Sequence, residues 1–181
     1  PERFLLFVGA IEPRKNLPNV LNALDLLRRR GVEIPLVVAG REGEDSAAVR
    51  KRLAELGLER AVRFLGYRSD REIRDLYRLA SVFVFPSFSE GFGLPVIEAM
   101  ASGVPVITSA AGALPEVAGD AVLYVRPDDP EDIAVRIAEV LSDGAVARRL
   151  TAAGRLRAAL YSWEKTAAET LAFYEEVAGR P

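Results

Sequence analysis

Short apolar runs alternate with longer segments of helical period through the first two thirds of the chain, and this alternation restricts the fold more than any other property. The runs fall at 4–8, 34–39, 62–65, 82–85, 104–108 and 122–125, and apart from Arg63 and the closing Thr108 they are apolar at consecutive positions rather than at every second residue. Continuous apolar strands are buried on both faces, which requires a parallel sheet with helices packed above and below it. The segments between the runs supply those helices. Asn16 stands at an N-cap with Pro18 in the first turn; Val20, Leu21, Leu24 and Leu27 make a buried stripe, and Gly31 ends the helix after Arg28, Arg29 and Arg30, read as dipole-facing surface. A helix at 47–56 stops at Gly57, one at 70–79 opens on the capping box of Ser69 and Glu72, and one at 94–101 is closed by Gly103. After Pro130 the chain reads as helical only, at 131–141 behind Asp129, at 145–160, and at 163–177 behind Ser162. The expectation is an α/β fold, a doubly wound six-stranded parallel sheet of Rossmann-like build with C-terminal helices, forming one domain over 1–181 without linker or repeat.

Charge and composition narrow the chemistry. Twenty-four basic residues against 26 acidic ones give a net charge of -2, so no broad positive field invites nucleic acid. The chain has no cysteine and no histidine, which removes disulfides, thiolate and imidazole metal ligands and the commonest general base. No metal site is expected, and any catalysis must run on carboxylates, arginines, backbone dipoles and the three lysines, Lys15, Lys51 and Lys165. The longest apolar stretch, 4–11, contains a glycine and is too short to cross a bilayer, and the start carries no export signal; a cytoplasmic location is the expectation.

In an open parallel sheet, ligands sit beyond the carboxyl ends of the strands, so residues just after the apolar runs carry the functional information. After the first strand, Gly9, Ala10 and Glu12 lead to Arg14 and Lys15, two cations ahead of a helix N-terminus, where they oppose the dipole unless an anion lies between. After the third come Gly66, Tyr67 and Arg68, a small residue, a ring and a planar cation suited to a nucleobase, with packing of Tyr67 on its own helix as the alternative. The fourth is the most informative. Glu90 and Glu98, seven residues between them, flank a loop whose Gly91 and Gly93 let backbone approach a ligand, followed by a helix start whose amides favour a phosphate. Side chains on a helix lean toward its N-terminus, so Glu98 is expected to point back over Gly91 and Gly93, and Glu90 to reach another part of the same ligand. A nucleotide sugar offers both an anion and hydroxyls. The alternative for either glutamate is a helix cap or surface ion pair, and Phe92 serves as a wedge in the loop or a lid on the sugar. After the fifth strand, the small residues of 108–113 lead to Leu114, Pro115 and Glu116, a loop that borders the same crevice or merely joins strand to helix.

Four stretches together, 8–17, 62–67, 85–107 and 161–164, carry a resemblance to the C-terminal, donor-binding half of retaining glycosyltransferases of GT-B fold in the large group 1 family. The resemblance implies that Glu90 lies by the hydroxyls of the donor sugar, that Glu98 holds the ribose, and that backbone from Gly91 through Phe92 and Gly93 to Leu94 contacts sugar and phosphate. Lys15 and Arg14 match the pair that neutralises the diphosphate as the sugar gains oxocarbenium character, with Gly9, Gly66 and Tyr67 completing the nucleotide contacts. Transfer would then retain anomeric configuration without a divalent metal or other cofactor. Many members carry arginine directly after the first-loop glycine, and here that place is Ala10. The acceptor is expected on a separate N-terminal domain outside this chain, as is any membrane contact. Trp163 would pack toward that domain or, alternatively, anchor the last helix to its own core. Two competing readings are a nucleotide-sugar epimerase of the same fold, which would be expected to use histidine, and a non-catalytic flavodoxin-like nucleotide-binding module, which needs no paired glutamates.

Overall fold

All six apolar runs become strands because β-branched and aromatic side chains fill both faces of a covered sheet. The computed structural model describes residues 3–179. Its strands are β1 (Leu5–Val8), β2 (Leu36–Ala39), β3 (Val62–Gly66), β4 (Val82–Phe85), β5 (Val106–Ser109) and β6 (Leu123–Val125), all parallel, in the order β3-β2-β1-β4-β5-β6. The helices are α1 (Leu17–Arg29), α2 (Ser46–Leu56), α3 (Asp70–Leu79), α4 (Leu94–Ser102), α5 (Leu114–Ala118), α6 (Pro130–Ser142), α7 (Gly144–Ala158) and α8 (Trp163–Ala178). The strand order makes this the expected doubly wound sheet.

Differences from the expected bounds have local causes. β5 starts two residues late because Pro105 has no N–H, and the Val104 N–H is spent on Ala99 O at 3.3 Å, closing α4. Pro35 delays β2 in the same way. The short helix α5 and the 3-10 turns Pro13–Lys15 and Gly119–Ala121 are too brief to show a period. Asn16 does occupy the N-cap of α1, but in a left-handed conformation (φ 62°, ψ 34°) and without a capping bond from its side chain. Nor is the arginine run simply surface facing its own helix end. Arg28 donates to Leu56 O at 3.0 Å and Gly57 O at 3.2 Å, the last carbonyls of α2, while Arg29 and Arg30 pair with Asp25 and Glu131.

The core beneath the carboxyl ends of the central strands is aromatic. Phe83 stacks on Phe85 with ring centroids 5.6 Å apart, Phe7 lies 6.1 Å from Phe85, and Tyr77 of α3 meets Phe83 edge-on at 5.3 Å. α1 packs on α6, and α4 on α7. The chain order reverses between β1 and β4, so the loops leaving those two strands diverge to opposite faces and open a crevice between them. In contrast, α8 buries none of its residues, and Trp163 is 74% exposed. Anchoring of Trp163 to its own core is therefore excluded.

Candidate functional site

Arg14, Lys15 and Glu90 meet at the crevice between β1 and β4. The loop after β1 tightens into the 3-10 turn Pro13–Lys15, which turns the Lys15 side chain inward over the Phe85 ring, with Nζ 4.4 Å from its centroid. Lys15 Nζ lies 3.1 Å from Glu90 Oε1, and Arg14 Nη1 lies 2.8 Å from the same oxygen. Lys15 and Glu90 are both buried, whereas Arg14 is half-exposed and also meets Glu12 Oε2 at 3.0 Å. A buried cation needs an anion, and Glu90 supplies it. The three side chains form one cluster at the crevice, so Glu90 makes an ion pair with the basic loop, though a buried one and not the surface pair named as its alternative.

Three loops hold the cluster in place. Phe88 N–H donates to Arg14 O at 2.8 Å, tying the loop after β4 to the loop after β1. The Asn16 amide crosses the crevice, donating to Pro86 O at 2.9 Å and Pro127 O at 2.6 Å. Its left-handed backbone turns the side chain away from its own helix, which is why it fails as a cap and succeeds as a brace. The loop after β5 borders the crevice too: Ala113 N–H donates to Glu90 O at 3.1 Å, and Ser109 Oγ donates to Ser87 O. Replacement of Asn16 by alanine removes a buried donor from two carbonyls and is expected to cost about 2 kcal/mol in urea unfolding. A loss under about 0.5 kcal/mol would show that the loops hold without the brace.

Beyond Glu90 the backbone is open to a ligand. Among the described residues, the N–H groups of Gly91, Phe92, Gly93 and Leu94 meet no protein acceptor, while those of Val96 and Ile97 turn back to Gly93 O. Pro95 has none. The amides without a protein acceptor thus belong to the loop and the first residue of α4 rather than to its whole first turn. Gly93 adopts φ 93°, a conformation that strains residues with side chains, and a β-carbon there would also have to displace Leu114 Cδ2 at 2.5 Å. Phe92 and Leu94 are partly exposed, and Phe92 meets the Tyr161 ring edge-on at 5.8 Å.

Glu98 lies outside the cluster. It is exposed on α4, and the buried Tyr77 phenol donates to its Oε2 at 3.3 Å. The structure brings Glu98 to α3 rather than to Glu90. Although Glu98 is exposed by surface area, partial desolvation of its carboxyl beside α3 pushes it above the ordinary carboxylate range, the Tyr77 bond pulls it back, and Asp70 adds to the rise. Gly9 sits beside the Lys15 side chain, and Gly66 ends β3. Tyr67 is 77% exposed and does not pack on its own helix. A cavity of about 560 Å³ opens beside Arg14, lined also by Ala10, Glu12, Arg41 and Glu42. Arg41, which makes no ion pair among the described residues, was not marked by its sequence context. Tyr77 was hidden as well, because a tyrosine at a helical core position looks like packing.

Residues 1–157 match the family model for glycosyl transferases group 1. The chain belongs to that family. It is 41% identical over 175 residues to O-antigen chain mannosyltransferase B of Escherichia coli, covering 95% of this chain and 45% of that protein. Among solved structures, sucrose-phosphate synthase from Thermosynechococcus elongatus superposes with a TM-score of 0.87 at 33% identity, over 97% of this chain and 45% of that one. The C-terminal domain of a glycosyl transferase group 1 family protein from Francisella tularensis gives a TM-score of 0.76 at 27% identity, over 87% and 85% of the respective chains. This group 1 chain thus has the GT-B architecture of a C-terminal half and spans less than half the length of the mannosyltransferase. No described helix is long and apolar enough to cross a membrane.

Proposed function

We propose that this chain is the donor-binding half of a retaining glycosyltransferase, taking a nucleoside-diphosphate hexose and passing the hexosyl group to an acceptor held by an N-terminal domain outside it. The observation that carries the reading is the Arg14–Lys15–Glu90 cluster, with Lys15 and Glu90 buried, beside the open amides of residues 91–94. Cations and amides together suit a diphosphate, whose leaving oxygen gains charge as the glycosidic bond breaks; groups already in place there stabilise the transition state at little reorganisation cost. Two side-chain cations do this work without a divalent metal. Glu90 then faces the hexose hydroxyls and Glu98 accepts from the ribose, while the exposed Tyr67 is available to a base. Attack needs the acceptor hydroxyl held close to the anomeric carbon, so this half alone is expected to bind donor and transfer it slowly. The bare face of α8 suits the same N-terminal partner. A mannosyl donor is the first to test, given the 41% identity to a mannosyltransferase.

Thermal shift with GDP, UDP and ADP and with their hexose conjugates, GDP-mannose among them, tests the reading; stabilisation by none of them overturns it. The variant Glu90→Gln removes the carboxylate paired with Lys15 and Arg14, so its affinity for the free nucleoside diphosphate serves as its own reference; relative to that reference the hexose increment is expected to fall on the order of tenfold. Equal loss for diphosphate and conjugate would remove Glu90 from the sugar.

A further inference from the structure

The Tyr77 hydroxyl is a polar group that packing alone does not explain. Its ring is fully buried and meets Phe83 edge-on at 5.3 Å, a contact that phenylalanine would make equally well. A buried phenol needs a partner, and its partner is the Glu98 carboxylate, 3.3 Å away on the neighbouring helix. Glu98 itself is exposed, with Oε1 free of any protein partner among the described residues. One oxygen is anchored from below and the other is left for a ligand.

We infer that Tyr77 is a positioning residue for donor recognition, fixing the Glu98 carboxylate from within the core so that Oε1 is presented to the ribose hydroxyls. The inference rests on Glu98 being the ribose-binding carboxylate. An exposed glutamate on a helix samples several rotamers, and a ligand must restrict them on binding; a fixed donor beneath the carboxylate removes part of that cost beforehand. Burial and the Glu98 charge hold the phenol proton on well above the ordinary tyrosine range, so Tyr77 stays protonated, and a donor, across the acidic and neutral range. The groups acting on Glu98 both lie on α3: Asp70 disfavours its ionised form, and the Tyr77 bond favours it. Removing the hydroxyl therefore lets the carboxyl protonate at higher pH, and a protonated carboxyl accepts poorly from ribose.

Calorimetric titration of the wild type, Tyr77→Phe, Glu98→Gln and the double variant tests this, using GDP, UDP and ADP beside their 2′-deoxy and 3′-deoxy forms across the acidic range. Circular dichroism and thermal melting check that Tyr77→Phe is folded. The expected result is a ribose preference that Glu98→Gln abolishes and Tyr77→Phe reduces about fivefold, with no further loss in the double variant. The acid limb of ribonucleotide binding should also move to higher pH in Tyr77→Phe, a change that lost packing would not produce. A Tyr77→Phe protein with wild-type ribose preference and pH profile overturns the inference while leaving the donor site intact. If Glu98→Gln keeps the preference, the ribose assignment fails and the inference with it; if the wild type binds no nucleotide, the donor reading fails as well.

Discussion

Replacement of Lys15 by methionine is expected to lower affinity for a nucleoside diphosphate roughly tenfold to a hundredfold, the range for loss of a hydrogen bond to a charged group. Methionine keeps an unbranched stem over the Phe85 ring, so the change isolates the ammonium group, which lies 4.4 Å from that centroid and 3.1 Å from Glu90. The variant also leaves the buried Glu90 with Arg14 alone, on its half-exposed side. Removing one partner of a buried ion pair destabilises, and with a second cation retained the loss should be about 1–3 kcal/mol. Calorimetric titration with GDP, UDP and ADP reads the first effect, and urea unfolding the second. Unchanged affinity at unchanged stability would take Lys15 out of the diphosphate site.

A second large effect is expected at Gly112, where only backbone meets backbone. The residue adopts φ 59°, and a β-carbon there would stand 2.2 Å from the carbonyl oxygen of Glu90. Alanine must accept a left-handed conformation and also push the Glu90 peptide aside, together about 2–4 kcal/mol. Because the neighbouring Ala113 N–H donates to the same carbonyl at 3.1 Å, the displacement would reach the loop that carries the acidic side chain. Gly112→Ala should therefore melt earlier and discriminate less among hexose conjugates. An alanine variant with wild-type melting would show that the loop after β5 adjusts freely.

Those two positions also show where sequence reasoning succeeds and where it stops. The bounds of β4 and α3 coincide with the expected ones because the signals are local: four consecutive apolar residues, and a serine and glutamate three residues apart that cap reciprocally. The glycine-bearing loop and its two glutamates were visible for the same reason. What could not be read was which charges meet. Arg14 and Glu90 are separated by 76 residues, and no periodicity announces a contact across two loops that the strand order alone brings together. That Lys15 is buried, and so requires the anion that Glu90 supplies, follows from the packing of two loops and not from either loop's own sequence. Glu98 was likewise placed by its own helix, whereas the bond that holds it comes from α3. Asn16 carried the right residue type for a cap, but its conformation is set by the 3-10 turn before it, a feature of three residues with no pattern of its own.

A lysine enclosed as deeply as Lys15 and lacking a counterion would cost several kcal/mol, enough to distort the loops around it. Glu90 supplies that counterion from within the chain. On the proposed donor reading, entry of a diphosphate would be an exchange of counterions within a preorganised frame, and the carboxylate it displaces from Lys15 would become available to the hydroxyls arriving on the same molecule.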